Sequence, residues 1–263
     1  MAQTDEASKD TERPHGVLLD VGHGNAAVFI DGDVAVVVDA GSGDLVVDTL
    51  ERHGVREVAA LVISHRHHDH TSELASILSN QELCVRRLFA NADPGRTPTS
   101  AFESQLRGAL NDSWKRNGTE YHQANVTLSS LMSTRRLKVE VLSPDLDLAV
   151  TGVGAPTESG GTVHPHALAV VLRVALKQGR SVLLGADLDH GGFRRMIDDP
   201  HLDLSADLLV YPHHGGLSGA GTATAEQRFA TDLAVAVPKT ALFWQRLIKP
   251  RLSERVGLNS DAA

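Results

Sequence analysis

The feature that most restricts this chain is Ser64-His65-Arg66-His67-His68-Asp69-His70, set directly after the apolar run Ala59 to Ile63. The run reads as a short buried strand, so its end must deliver four imidazoles and a carboxylate to the rim of a sheet. On an extended turn His65 and His67 point the same way, and two imidazoles can then share one metal ion. Asp69 and His70 lie on the next bend, within reach of a second ion about 3.5–4 Å from the first. Two divalent ions at that separation can bridge a hydroxide and hold both the attacking and the leaving oxygen of a hydrolysis.

One loop supplies too few ligands for two ions, and further ones stand at other strand ends. Leu183-Leu184-Gly185-Ala186-Asp187 is an apolar strand ending in a carboxylate suited to bridging two cations. Leu208-Leu209-Val210-Tyr211-Pro212-His213-His214-Gly215-Gly216 is another, ending in paired histidines and two glycines that let backbone approach a ligand or metal closely.

The rest of the chain reads as strands with interleaved helices. Strands are expected at Val17–Leu19, Ala26–Ile30 and Val34–Val38, the last two joined by the hairpin signal Asp31-Gly32-Asp33. A helix spans Asp44–His53 and ends at Gly54. Val58–Ile63 and Val85–Phe89 are strands, with a loop over His65–Thr71 and a helix capped by Ser72 between them. A helix covers Phe102–Arg116, a strand Leu137–Leu142, and residues 145–165 form a long connection. The strands Ala167–Leu176 and Ser181–Leu184 pair as a hairpin, followed by a short helix at Gly192–Ile197 and a strand at Leu208–Tyr211. Beyond it come a helix at Ala223–Ala230, a strand at Leu233–Val237 and a helix from Thr240 to Ile248. The alternation predicts an α/β layered sandwich in one domain over residues 15–263, after a mobile polar tail at 1–14.

Composition trims the function classes. A net charge of −8 argues against a protein that grips nucleic acid with its whole surface, though not against an enzyme touching a few phosphates at one cleft. Cys84 is the single cysteine, so neither an intrachain disulfide nor a cysteine-based zinc site can form. No apolar run is long enough for a bilayer and no secretory signal opens the chain, which points to the cytoplasm and no membrane contact. Fourteen histidines stand against ten aromatic residues, and histidine is the commonest metal ligand. His15, His53, His122 and His201 read as surface residues among them.

With these segments in view, the chain resembles the metallo-β-lactamase fold superfamily over nearly its whole length, which implies an αββα sandwich. Val37-Val38-Asp39-Ala40-Gly41 looks like the first family motif, whose Asp supports the metal loop without binding metal. His65, His67, Asp69 and His70 match the second, Asp187 the bridging Asp of the fourth, and His213 or His214 the terminal His. For the third motif His164 and His166 are both candidates, with His166 preferred because it abuts the strand from Ala167. With His213 as the terminal ligand, His214 joins His23 as a candidate proton donor to the leaving group, while Asp69 orients the nucleophile. Asp20-Val21-Gly22-His23-Gly24-Asn25-Ala26 and Pro212-His213-His214-Gly215 narrow the resemblance to the hydrolase domain of ComEC-type DNA-uptake proteins and their free-standing relatives. That resemblance implies a nuclease using two divalent ions, Zn2+ or Mn2+, on DNA or RNA. A small-molecule ester, thioester or lactone hydrolase of the same fold is the alternative, as is a non-catalytic metal-binding subunit of a larger complex.

The chain departs from that pattern in three places. His23-Gly24-Asn25 stands where such sequences usually read Gln-Gly-Asp, and Ser72-Glu73 where the metal loop is usually followed by two glycines. The fold is expected to be shortened at its C-terminal end, where the apolar cluster Leu242, Phe243, Trp244, Leu247 and Ile248 would be covered by a second copy or a partner subunit.

Overall fold

Strands buried on both faces read as continuous apolar runs, and central strands of both sheets, such as Val34–Ala40, Glu57–Ile63 and Leu208–Val210, are runs of this kind. The first sheet holds β1 (His15–Leu18), β2 (Ala26–Asp31), β3 (Val34–Ala40), β4 (Glu57–Ile63), β5 (Cys84–Val85), β6 (Arg87–Ala90) and β7 (Glu120–Gln123). Their order is β1-β2-β3-β4-β6-β7, with β5 also beside β4. The second sheet holds β8 (Met132–Ser133), β9 (Leu137–Ser143), β10 (Val171–Leu176), β11 (Ser181–Leu184), β12 (Leu208–Val210) and β13 (Ala241–Phe243), in the order β13-β12-β11-β10-β9-β8. The structure, a computed structural model, describes residues 13–41, 43–91, 101–128, 131–133, 136–156, 161–176, 179–215, 222, 232–233 and 241–243.

The period of two along each strand divides the core. Ala35 and Val37 of β3 face outward onto α1 (Leu45–Arg52), α3 (Leu74–Ser79) and α4 (Ala101–Asn117), packing with Val46, Leu50, Ile77 and Ala109. Val36 and Val38 point the other way and meet Val139, Leu172, Leu184 and Val210 of the second sheet. On the far side Leu183 and Leu209 pack with Phe193 and Met196 of α6 (His190–Asp198). The layers therefore run helix, sheet, sheet, helix, which is the αββα order expected, in one domain. Each fully buried Leu, Ile or Phe contributes about 1.5–3 kcal/mol relative to an exposed one. No helix among the described residues is long and apolar enough to cross a membrane.

Parallel pairing of β3 with β4 and of β11 with β12 sends these strands out at the same end of each sheet. Asp39 lies in β3, Ser64 and His65 follow β4, Asp187 follows β11, and His213 and His214 follow β12. All four strand ends meet at one rim of the sandwich.

Glu73 ties this rim to the outer helices. It is buried, and its two carboxylate oxygens accept from Val46 N (3.0 Å) and Val47 N (2.8 Å) at the start of α1. Asp44, the residue at the N-cap, makes no side-chain capping bond. Glu73 N also donates to Ala40 O at 3.0 Å, joining the metal loop to the end of β3. Burial pushes its carboxyl up to about 7, against the two backbone donors and with help from Asp44 and Asp48. A carboxyl raised in the folded state contributes stability that is complete below its ordinary value and is lost as pH rises through about 7. Denaturant unfolding at pH 5 and pH 8 should therefore show the parent losing about 2–3 kcal/mol more than Glu73→Gln. Equal losses in the two proteins would mean that Glu73 does not titrate in this window.

Several sequence expectations give way. Residues 68–71 are not loop but a helical turn, α2 (His68–Thr71), closed by His70 N donating to His67 O. Ser72 is not the N-cap of α3 but the C-cap residue of α2; Glu73 stands at the N-cap of α3, and among the described residues Ser72 Oγ is buried with no hydrogen-bond partner. The run Val85–Phe89 breaks into β5 and β6. The connection 145–165 holds α5 (Leu146–Thr151), whose N-cap Asp145 accepts from Leu148 N. Strand β10 starts at Val171 because Pro165–Leu168 coils into a 3-10 turn. Strands β7 and β8 carry too little apolar alternation to be read from sequence. At the C-terminal end Ala241–Phe243 is not helix but β13, parallel to β12, so the second sheet does continue past β12. A three-residue apolar run fits either state, and only its pairing decides. Leu233 is helical rather than the start of a strand. The tail residues 1–12, the helix 223–230, residues 234–237 of that strand and the apolar side chains proposed for docking lie outside the described residues.

Candidate metal centre

The strand ends reach the rim in strained backbone. The positive-φ non-glycine residues among those described are Asp39 (φ 58°), Ala186 (φ 48°), His213 (φ 53°) and His214 (φ 51°), and all four lie at this one place. Such conformations cost about 1–3 kcal/mol each and persist where surrounding structure over-determines them, as at functional sites. Here the bends re-aim side chains that a straight strand would send to alternate faces.

Asp39 is the hub beneath the metal loop. Its Oδ1 accepts from Ser64 N at 2.7 Å, and its Oδ2 accepts from Ser64 Oγ and from His70 Nδ1, each at 2.8 Å. Because the Ser64 hydroxyl proton goes to Asp39, Ser64 Oγ is left to accept from His65 Nδ1 at 3.2 Å. Both His65 and His70 thus carry their proton on Nδ1 and present Nε2 to the site, the arrangement that orients metal-ligating imidazoles. The family resemblance implies a supporting place for Asp39, whereas nothing in the sequence marks Ser64 beyond its position before His65.

Asp187 stands between two groups of imidazoles. Its Oδ2 lies 3.7 Å from His65 Nε2 and 3.9 Å from His213 Nδ1, whereas its Oδ1 lies 3.4 Å from both His70 Nε2 and His214 Nε2. On one side His65, His67 and His166 gather, with His166 Nε2 only 3.2 Å from His67 Nδ1. On the other, Asp69 Oδ2 approaches His214 Nε2 at 3.3 Å and His70 Nε2 at 3.9 Å. His23 Nε2 reaches the same Asp69 oxygen at 3.3 Å. Of the two candidates before β10, His166 enters a donor group and His164 does not. Of the adjacent pair, His214 is buried between the two carboxylates while His213 is half-buried beside His166, with ring centroids 5.0 Å apart.

Electrostatics follow from this crowding. Burial holds His65 well below the usual imidazole value, with His70 adding to the effect. Burial also opposes charge on His70, but Asp39 and Asp187 outweigh it and push the imidazole up to about 10. His214 is pushed up to about 9 in the same way, by Asp187 and Asp69 against burial. Asp69 is held below the ordinary carboxylate range chiefly by the His214 hydrogen bond. Asp187 is held below it despite burial, by His214 and His70.

The donors suit divalent metal ions on internal grounds. Among the described residues, His65 Nε2 and Asp187 Oδ1 are buried with no hydrogen-bond partner, a costly state that a coordinated cation relieves. The sets His65/His67/His166, His65/His70/Asp187 and His166/Asp187/His213, which share members, and the separate set His23/Asp69/His214 each bring three ligand atoms within 4.8 Å of one another. Imidazole and carboxylate donors in this ratio match zinc-type catalytic sites.

No family model matches the chain, and no curated protein does. Similar solved structures include the metallo-beta-lactamase fold protein YhfI from Bacillus subtilis, at 12% identity and a TM-score of 0.41, covering 83% of this chain and 88% of that one. The short form of human tRNase Z is similar at 13% identity and a TM-score of 0.47, covering 86% and 90%. A diphosphatase from the PhnP family follows at 13% identity and a TM-score of 0.40, covering 84% and 72%. What the site can do rests on its own donors.

Proposed function

We propose that this protein is a metal-dependent hydrolase that holds two divalent ions, Zn2+ or Mn2+, and cleaves phosphodiesters of DNA or RNA. The observation that carries the reading is Asp187, a buried carboxylate with one oxygen turned to each of two imidazole groups. His65, His67 and His166 would hold one ion, Asp69, His70 and His214 the other, and Asp187 would serve both. When bound, such ions polarise the scissile group, acidify a water and stabilise charge on the phosphoryl oxygens. The chain's own residues do the rest. Asp69, kept charged, accepts a hydrogen bond from the incoming water and orients it. His213, the more exposed of the pair, stands beside Asp187 where its ring can give a proton to the leaving oxygen. Asp39 and Ser64 keep His65 and His70 in the tautomer the site needs.

The phosphodiester substrate is supported by the ComEC-like segment Pro212-His213-His214-Gly215. The net charge of −8 favours a second reading, a small ester, thioester or lactone as substrate. Metal analysis of the purified chain, paired with assays on single-stranded DNA, duplex DNA, RNA, a lactone and a thioester in Zn2+ and in Mn2+, separates the two. Two ions per chain with cleavage of a nucleic acid is the expected result. Turnover confined to the lactone or thioester would transfer the site to the second reading, and an absence of bound metal would end both.

A further inference from the structure

We infer that His23 is an additional ligand of the ion position formed by Asp69, His70 and His214, an inference that rests on the two-ion reading above. The loop that carries His23 is built against the metal loop, backbone to backbone. Asn25 N donates to Asp69 O at 3.3 Å, and Gly41 N donates to Asn25 O at 3.0 Å. A Cβ at Gly24 would run into that same Asp69 carbonyl oxygen, and its φ of +132° is one that side chains rarely adopt. A Cβ at Gly41 would come within 2.9 Å of the oxygen as well. Glycine at 24 and 41 thus lets two backbones approach as no other residue would, and the result is to seat the neighbouring side chain of His23 over Asp69.

That placement is close enough for a shared ligand. His23 Nε2 lies 3.3 Å from Asp69 Oδ2, the oxygen that also faces His214 Nε2 at 3.3 Å. The His23 and His214 rings are tilted at 45° with centroids 4.8 Å apart. The remainder of His23 is open to solvent, its side chain 63% exposed, so the imidazole closes the outer side of the position. With His23 included, this position offers three imidazoles and Asp69, besides the shared Asp187. A set so rich in nitrogen favours Zn2+ over the oxygen-preferring Mn2+.

The test is metal binding to the metal-free chain, measured by calorimetry with Zn2+ and with Mn2+ and by visible absorption with Co2+. The parent, His23→Ala and His23→Gln are compared, and circular dichroism confirms that each is folded. The parent should take up two ions. Both variants should hold the first unchanged, bind the second Zn2+ about tenfold or more weakly, and lose part of the preference for Zn2+ over Mn2+. The Co2+ bands of the second equivalent should shift. Unchanged second-ion affinity and spectrum in His23→Ala, the outcome if His23 only donated a proton to a leaving group, would overturn this inference and leave the two-ion reading standing. A parent that binds no ion would overturn both.

Discussion

Asp187→Ala is expected to lower kcat/KM for hydrolysis by at least about a thousandfold, which is a loss of about 4 kcal/mol of transition-state stabilisation. No single histidine of the site should cost as much. The reason is position: among the described residues, Asp187 is the carboxylate whose two oxygens face different imidazole groups, at 3.7 Å from His65 and 3.4 Å from His70 and His214. Without it, cations brought to neighbouring positions repel with no anion between them. Even unit charges about 4 Å apart repel by about 4 kcal/mol at an effective dielectric of 20. Asp187→Asn keeps the shape and removes the charge, so it should fail nearly as badly. Elemental analysis of both variants should show metal lost along with activity. Activity within about tenfold of the parent would mean that Asp187 does not serve both groups.

Asp39→Ala should be the most destabilising single change at the site, by about 3–5 kcal/mol. Three donors converge on this buried carboxylate, from Ser64 N, Ser64 Oγ and His70 Nδ1. Alanine would leave all three of these donors, the His70 Nδ1–H among them, without an acceptor. It would also keep a non-glycine residue at φ 58° with nothing left to hold it there. In a domain of this size the melting temperature should fall by roughly 6–15 °C. Calorimetry on metal-free protein isolates the effect from any loss of bound ions. A fall smaller than about 2 °C would show that the network does not carry the strain of the β3 end.

Asp187 and Asp39 differ in how far their weight is legible from the residues alone. Asp187 is visible as a carboxylate closing an apolar strand, because a buried run has no structural reason to end in a charge. The weight of Asp39 is partly visible through the Val37-Val38-Asp39-Ala40-Gly41 motif, yet its link to Ser64 exists only once β3 and β4 lie side by side. Glu73 was invisible as a cap, because its partners Val46 and Val47 lie 27 and 26 residues earlier in the chain. Strand β13 reads as helix in the sequence because three apolar residues have no period of their own, and their state is set by pairing along the edge of β12.

The sequence by itself determined the layers and the place of the chemistry. Pattern is local: the continuous apolar runs of β3, β11 and β12 already say that each strand has two buried faces, and the His and Asp residues that close the strands say where polar groups must emerge. Only the tertiary structure decided which donor meets which. His213 and His214 are neighbours with the same side chain, and left-handed backbone at both turns one toward His166 and the other between Asp69 and Asp187. His164 and His166 are likewise separated only by the 3-10 turn that carries the second of them toward His67. Such choices depend on contacts between segments about 30 to 150 residues apart, and these arise when two sheets close on one another rather than from any residue's own preference.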